Sequence, residues 1–319
     1  MMIRTLLLCL MWVVSVSGSY AQGYPAKPIR FIVPFSPGGG TDLLARTLAA
    51  KISEPLGQQV VVENRPGAQG NIGTALAAKS APDGYTIALS FVGTFAINPA
   101  LYNNVGYDPL KDFSHVTLAT VQPYVVVVNP GVPAKNLKEL AALARTRADR
   151  LTFGSSAAAG QMAGELFKLL TKSKMIHVPY KGAGPAAIDL MGGHIDLMFS
   201  TPTGAVPHVK SGRIRALAVT APTRLSALPE VLTSKESGFP EFEISGWYGV
   251  ALPVNTPREI VMRLNSEITR ALNSNDVRER LSMDGLEPKT NSPDEMTAFA
   301  KSEFDRWSKV VKASGTKAE

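Results

Sequence analysis

The chain has 319 residues, 45% of them hydrophobic, which is enough to bury a large core and build two domains and excludes a disordered chain or a miniature scaffold. Its formal charge is +7 and its pI is near 9.4, yet basic residues are scattered and often sit beside acids, as at Asp42/Arg46, Lys138/Glu139 and Glu303/Asp305/Arg306. No basic run is interleaved with aromatics, which argues against a nucleic-acid partner and leaves a mild positive field able to attract organic anions.

At the N-terminus, Arg4 precedes an apolar run over residues 6–16, and Ser19-Tyr20-Ala21 follows with small-x-small spacing. This is the pattern of a secretory signal peptide, with cleavage expected after Ala21. The only cysteine, Cys9, lies inside that segment, away from its end and without a small residue before it. A mature chain with no lipid anchor, no disulfide and no thiol chemistry is therefore expected. No later apolar run is long enough to span a bilayer, so the mature chain should be soluble.

A strand is expected at 29–33, followed by Pro34-Phe35-Ser36-Pro37-Gly38-Gly39-Gly40-Thr41-Asp42 and a helical stripe at Leu44, Leu48 and Ile52. Strand, glycine loop and helix start together form an anion cradle, because glycine amides turn outward and the first helical turn adds unpaired N–H groups and partial positive charge. A Walker-type phosphate loop would continue Gly-Lys-Ser/Thr, but Thr41 and Asp42 follow Gly40; a dinucleotide fingerprint would need glycine where Leu43 stands. A smaller anion such as a carboxylate needs only Ser36, Thr41 and the glycine amides. The plainer alternative is a tight turn with Thr41 as N-cap.

Further along, strands are expected at 60–62 and 85–90, with a loop at 64–73 and a helix at 74–80 between them, and a wholly apolar strand at 124–128. A helix marked by Leu137, Leu140, Ala141 and Ala144 leads to a strand at 151–155. A loop of Gly, Ser and Ala over 154–160 then opens a helix marked by Met162, Leu166 and Leu170, a second small-residue loop at the carboxyl end of a strand. Strands at 175–179, 195–200 and 214–220, a helix at 186–191 and a return strand at 247–252 follow. This alternation predicts an α/β protein with mainly parallel sheets.

Helices are expected from Arg258, from Asp276 and from Pro293. The last carries a capping box, Ser292 with Glu295, and an apolar face of Met296, Phe299, Ala300, Phe304, Trp307 and Val311, whose role is core packing. Crossings near 124–128 and 247–252 imply two lobes joined by a double-strand hinge, with residues 22–123 and 247–319 in one domain and 124–246 in the other. Ligands of open α/β sheets sit beyond the carboxyl ends of the strands, so residues 36–41 should face residues 155–160 across a cleft.

Enzymatic alternatives find little support. No Gly-x-Ser-x-Gly occurs, and His115, His177, His194 and His208 lack zinc-like spacing. Asp42 and Arg46 read as an i, i+4 pair, and Asp189 and Asp196 as a helix-surface and a strand-end residue.

Pro34 to Asp42, Val62-Glu63-Asn64-Arg65-Pro66-Gly67-Ala68, Asp83-Gly84-Tyr85-Thr86, His177-Val178-Pro179-Tyr180-Lys181-Gly182 and Arg215-Ala216-Leu217-Ala218-Val219-Thr220 occur in order through nearly the whole mature chain. In this the sequence resembles the Bug family, the substrate-binding proteins of tripartite tricarboxylate transporters. The resemblance implies a two-lobed, type II-like periplasmic binding protein without catalysis, cofactor or metal. It also implies a monomer that closes on a small carboxylate and delivers it to membrane permease subunits.

Carried over by position, the resemblance assigns one carboxylate to Ser36, Gly39, Gly40 and Thr41 on one side and Ser155, Ser156, Ala158, Ala159 and Gly160 on the other. Phe35 would be an apolar wall, with Thr94, Tyr180, Phe199 and Thr201 as further contacts. The family's usual Gly-Ala-Gly-Gly after Arg-Pro is interrupted here by Gln69, its usual His-Leu is replaced by Gln161-Met162, and its Asp-Val-Pro-Thr by Glu230-Val231-Leu232-Thr233. A sensor that passes its liganded state to a membrane receptor would use the same closed form.

Overall fold

A computed structural model describes residues 23–146, 150–155, 157–180 and 183–316. The expected signal segment with Cys9, its cleavage point and Ser156 lie outside the described residues.

Two sheets organise the chain. The first takes strands β1 (Ile29–Val33), β2 (Val60–Asn64), β3 (Thr86–Phe91), β4 (Phe113–Pro123), β10 (Ser245–Pro253) and β11 (Glu287–Pro288), in the order β11-β4-β10-β3-β1-β2. The second takes β5 (Val125–Val128), β6 (Thr152–Ser155), β7 (Ile176–Pro179), β8 (Leu197–Ser200) and β9 (Arg215–Val219), in the order β7-β6-β8-β5-β9. The result is the two-lobed α/β fold.

Both sheets are mixed, which corrects the expectation of mainly parallel sheets. β1 pairs parallel with β2 and β3, and β6 with β7 and β8. By contrast β10 runs antiparallel to β3 and β4, and β5 antiparallel to β8 and β9. These are the strands by which the chain enters each sheet from the other, so they oppose the βα units already there.

The helices are α1 (Gly40–Leu56), α2 (Asn71–Ala78), the short α3 (Asn98–Leu101), α4 (Leu137–Thr146) and α5 (Ala158–Thr171), then α6 (Ala183–Gly192), α7 (Pro202–Lys210), α8 (Arg258–Leu272), α9 (Asn275–Met283) and α10 (Pro293–Ser314). α2 starts three residues before its expected position and α5 four before the first residue of its expected stripe, because the first turn of α5 is built of small residues and that of α2 carries glycine and an exposed Ile72, so neither displays a buried apolar stripe. Sequence periodicity missed β4, α7, β11 and the π-helical turn Gly93–Ile97. The capping box of α10 is present, and Trp307 is buried with its indole N–H on Glu303 Oε2 at 3.3 Å. Trp247 donates to the same oxygen at 3.1 Å, tying α10 to β10.

Thr220, fully buried, ties the two crossings together. Its N–H donates to Tyr124 O at 2.9 Å and its hydroxyl accepts from Tyr124 N at 2.8 Å. On the returning segment, the hydroxyl lies 2.5 Å from Ile244 O and Ile244 N donates to Thr220 O at 3.1 Å.

Candidate functional site

β1 delivers the chain into the glycine corner, where Gly38 takes φ +91°, a conformation that glycine alone adopts without strain. The helix that follows is capped at Gly39, which has no side chain to satisfy it, so Thr41 lies inside the first turn rather than at the cap. The amides of Gly40, Thr41 and Asp42 therefore have no intrahelical acceptor and carry the positive end of a 17-residue helix. Ser36 and Gly39 are exposed beside them.

Asp42 holds this corner in shape. Its buried carboxylate accepts from Gly38 N at 3.0 Å and Arg46 Nε at 2.9 Å on one oxygen, and from Asn64 Nδ2 at 3.0 Å on the other. Asn64 Nδ2 also reaches Phe35 O at 3.0 Å, so the end of β2 braces the loop at both ends. Burial pushes the Asp42 carboxyl up, but the hydrogen bonds from Arg46, Asn64 and Gly38 outweigh it and hold its pKa below the ordinary carboxylate value. The i, i+4 pair anticipated from sequence is present, with two further donors that spacing could not reveal.

Around the corner the lining is mostly apolar. Phe35 stands edge-on to Phe91 with ring centroids 5.2 Å apart, and a Cβ on Gly70 would meet Thr94 Cγ2 at 2.8 Å and Phe35 Cζ at 3.0 Å. Thr94 is fully buried in the π turn, its carbonyl accepting from Tyr107 Oη at 2.6 Å. Tyr248, which sequence reasoning passed over, brings its hydroxyl to 3.1 Å from where a Cβ on Gly40 would sit. β10 is buried at every position but its first, so no alternation along it marks Tyr248.

In the second lobe β6 ends at Ser155 and α5 begins at Ala158, capped by Ala157 without a side-chain bond. The amides of Gly160 and Gln161 bond back to Ala157 O, while those of Ala158 and Ala159 have no intrahelical acceptor. Gly160 is needed for close approach, since its Cβ would lie 3.2 Å from Phe199 O and 3.3 Å from Ser155 Cβ. α5 packs against the π turn that holds Thr94, so the second small-residue helix meets the first lobe there.

Ser155 Oγ is 2.7 Å from His177 Nε2, an interaction between adjacent parallel strands that spacing along the chain does not reveal. The Phe199 ring belongs to the core, packing with Phe153, Phe167 and Phe242, while its carbonyl approaches Gly160. The Tyr180 hydroxyl is engaged by Asp189 Oδ2 at 2.6 Å, and burial, then Asp189, pushes its pKa up to about 12. Thr201 caps α7, its hydroxyl 3.0 Å from that of Thr203. Asp196 accepts from both Thr152 N and Thr152 Oγ1 at the strand end where the sequence placed it. Open surface grooves of about 670 and 650 Å³, along α10 and beside residues 222–236, lie apart from these loops.

The geometry is that of two uncapped helix N-termini, with hydroxyls and little charge, on two lobes in contact. Residues 44–316 match the family described as "Tripartite tricarboxylate transporter family receptor". Protein BugT of Bordetella pertussis is 40% identical over 300 residues, covering 93% of this chain and 92% of that protein. Among solved structures, R. palustris Rpa4515 with adipate is 37% identical with a TM-score of 0.87, covering 92% of this chain and 99% of that one. MatC from Rhodopseudomonas palustris with bound malate is 33% identical with a TM-score of 0.83, covering 90% and 100%.

Proposed function

This chain belongs to the tripartite tricarboxylate transporter receptor family, and on that premise we propose that it captures a small organic carboxylate between its two uncapped helix starts. The observation that carries the reading is that each lobe presents a helix start without a side-chain cap, at Gly39 and at Ala157, while α5 packs against the first lobe's π turn; on this reading Gly39, Gly40 and Thr41 share one carboxylate with Ser155, Ala158, Ala159 and Gly160. Each helix start contributes about 0.3–1 kcal/mol to an anion at the surface and up to about 2 kcal/mol when partly buried, and closure combines the two with hydroxyl hydrogen bonds. The adipate and malate complexes of similar proteins support a carboxylate as the solute.

Ser36, Phe35 and Thr94 complete the first lobe's share, with Ser156 and Thr201 on the second. Residues 22–123 with 247–319, and residues 124–246, form the two domains, and Thr220 stands where they join. The protein works in the periplasm after loss of residues 1–21 and hands its solute to membrane permease subunits without catalysis.

Thermal unfolding of refolded protein against a panel of small carboxylates and matched neutral analogues tests this reading. At a hundredfold excess over Kd, binding adds about 2.7 kcal/mol, a rise of several degrees. A rise confined to carboxylates supports capture; no rise with any acid refutes it.

A further inference from the structure

Beside the glycine corner, three polar side chains project from one face of the β4–β10 ladder. The register sets Tyr248 opposite Thr120 and Gly246 opposite Gln122. Gly246 leaves room for the amide, since a Cβ there would lie 3.1 Å from Gln122 Nε2. Tyr248 carries the cluster to the N-terminus of α1, its hydroxyl 3.1 Å from the position of a Cβ on Gly40.

Gln122 is 1% exposed and Thr120 fully buried, yet Gln122 Oε1, Gln122 Nε2 and Thr120 Oγ1 complete no hydrogen bond among the described residues. Gln122 lies beside the Tyr248 hydroxyl without forming a well-aligned bond to it. Interior amides and hydroxyls are rarely left in this state, because nothing then replaces the water they lost. A group that belongs to neither strand is therefore wanted here.

The donors and acceptors select that group. Gln122 offers an acceptor as well as donors, and Thr120 offers one of each. A carboxylate or a keto oxygen only accepts, so it leaves Oε1 unmatched; an ammonium only donates, so it leaves Nε2 unmatched. A hydroxyl does both.

We propose that Gln122, with Thr120 and Tyr248, reads a hydroxyl on the solute next to the carboxylate held at the start of α1, so that hydroxycarboxylates are the preferred class. This rests on the carboxylate-capture reading and specifies its substrate.

Isothermal calorimetry on matched pairs tests it: succinate with malate, glutarate with 2-hydroxyglutarate and propionate with lactate, with aspartate and oxaloacetate as amino and keto controls. In the unmodified protein at least one hydroxy acid should bind about tenfold or more tighter than its unsubstituted partner, the scale of one well-made buried hydrogen bond. Gln122→Met should shrink that ratio below about threefold by weakening the hydroxy acid and sparing its partner. Should that variant fail to fold by circular dichroism, Thr120→Val and Gln122→Asn take its place with the same expectation. A ratio unchanged by these substitutions would mean that the amide holds an internal water, and would overturn the proposal. So would equal binding within every pair, or tighter binding of the unsubstituted, amino or keto acid. If carboxylates bind but these ratios fail, only the hydroxyl subsite falls; if no carboxylate binds, the capture reading falls and the subsite with it.

Discussion

Asp42→Asn separates two opposed effects at the glycine corner. Coulomb's law alone says that removing a negative charge beside an anion site tightens anion binding. The structure gives the carboxylate a different task, since it accepts from Gly38, Asn64 and Arg46 and so fixes the loop to which we assign the solute's carboxylate. An asparagine can keep the bond from Asn64 but then turns an NH2 group toward two donors. Bonds to a charged group are worth about 1.5–3 kcal/mol each, whereas an exposed i, i+4 pair adds only about 0.3–0.5 kcal/mol. The Arg46 side chain is 54% exposed and that of Asp42 only 7%, so the loss comes mainly from the buried bonds. About 2–4 kcal/mol of stability should go, lowering Tm by roughly 3–6 °C for a chain of this size, and affinity for a carboxylate found by the thermal screen should fall about tenfold or more. Differential scanning fluorimetry and calorimetry read both effects. A variant that melts within a degree of the parent, or binds the acid more tightly, would refute this account. The acid limb supplies a further check. The folded pKa lies below the unfolded value, so the contribution is complete above the unfolded pKa and disappears as pH falls through the folded one. Asp42→Asn should lose that part of the pH dependence.

Burial pushes His115 from 6.5 down to about 4, opposed only in part by the Pro109 backbone. Stability should therefore fall by up to about 1.4 kcal/mol per unit as pH drops through that window, because the unfolded chain takes a proton that the fold refuses. Urea midpoints from pH 7 to 4 should flatten in His115→Phe, and an unaltered slope would exclude His115 as the source. Gly70→Ala combines φ +93° with contacts at 2.8 and 3.0 Å to Thr94 and Phe35, and should cost about 2–5 kcal/mol in urea unfolding; a loss under ~0.5 kcal/mol would show that this wall yields freely. Gln69 sits at φ +53°, so Gln69→Gly should be neutral or stabilising by up to about 1 kcal/mol, and clear destabilisation would show that its side chain has a bonding role.

What the sequence made legible follows from how cleanly each element displays its period. β1, the glycine corner and α1 were readable because apolar residues recur at helical spacing directly after three glycines, and the start of α10 because its capping box is a local chemical device. β4 stayed hidden for a physical reason. It lies between β10 and β11 with both faces covered, and carries His115, Thr117, Thr120 and Gln122 in buried positions, so neither alternation nor a pure apolar run marks it. α7 was obscured by Pro202 and Pro207, which read as loop. Within the site, the two helix starts were legible as segments, but Tyr248 beside Gly40 and His177 beside Ser155 depend on strand neighbours, which spacing along one chain does not encode. That the Phe199 ring turns to the core was not legible either, because a residue at a strand end has two faces and only the fold decides which one meets the core.

Thr220 touches the outgoing segment at Tyr124 and the returning one at Ile244 through main chain and hydroxyl alike. Two parallel tethers fastened at one point resist sliding and shearing but leave a common axis about which small torsional changes add up. Motion around such an axis grows with distance from it. Opening about such an axis would leave the joint hydrogen-bonded while remote loops separate, giving a solute access by leverage instead of by local unfolding.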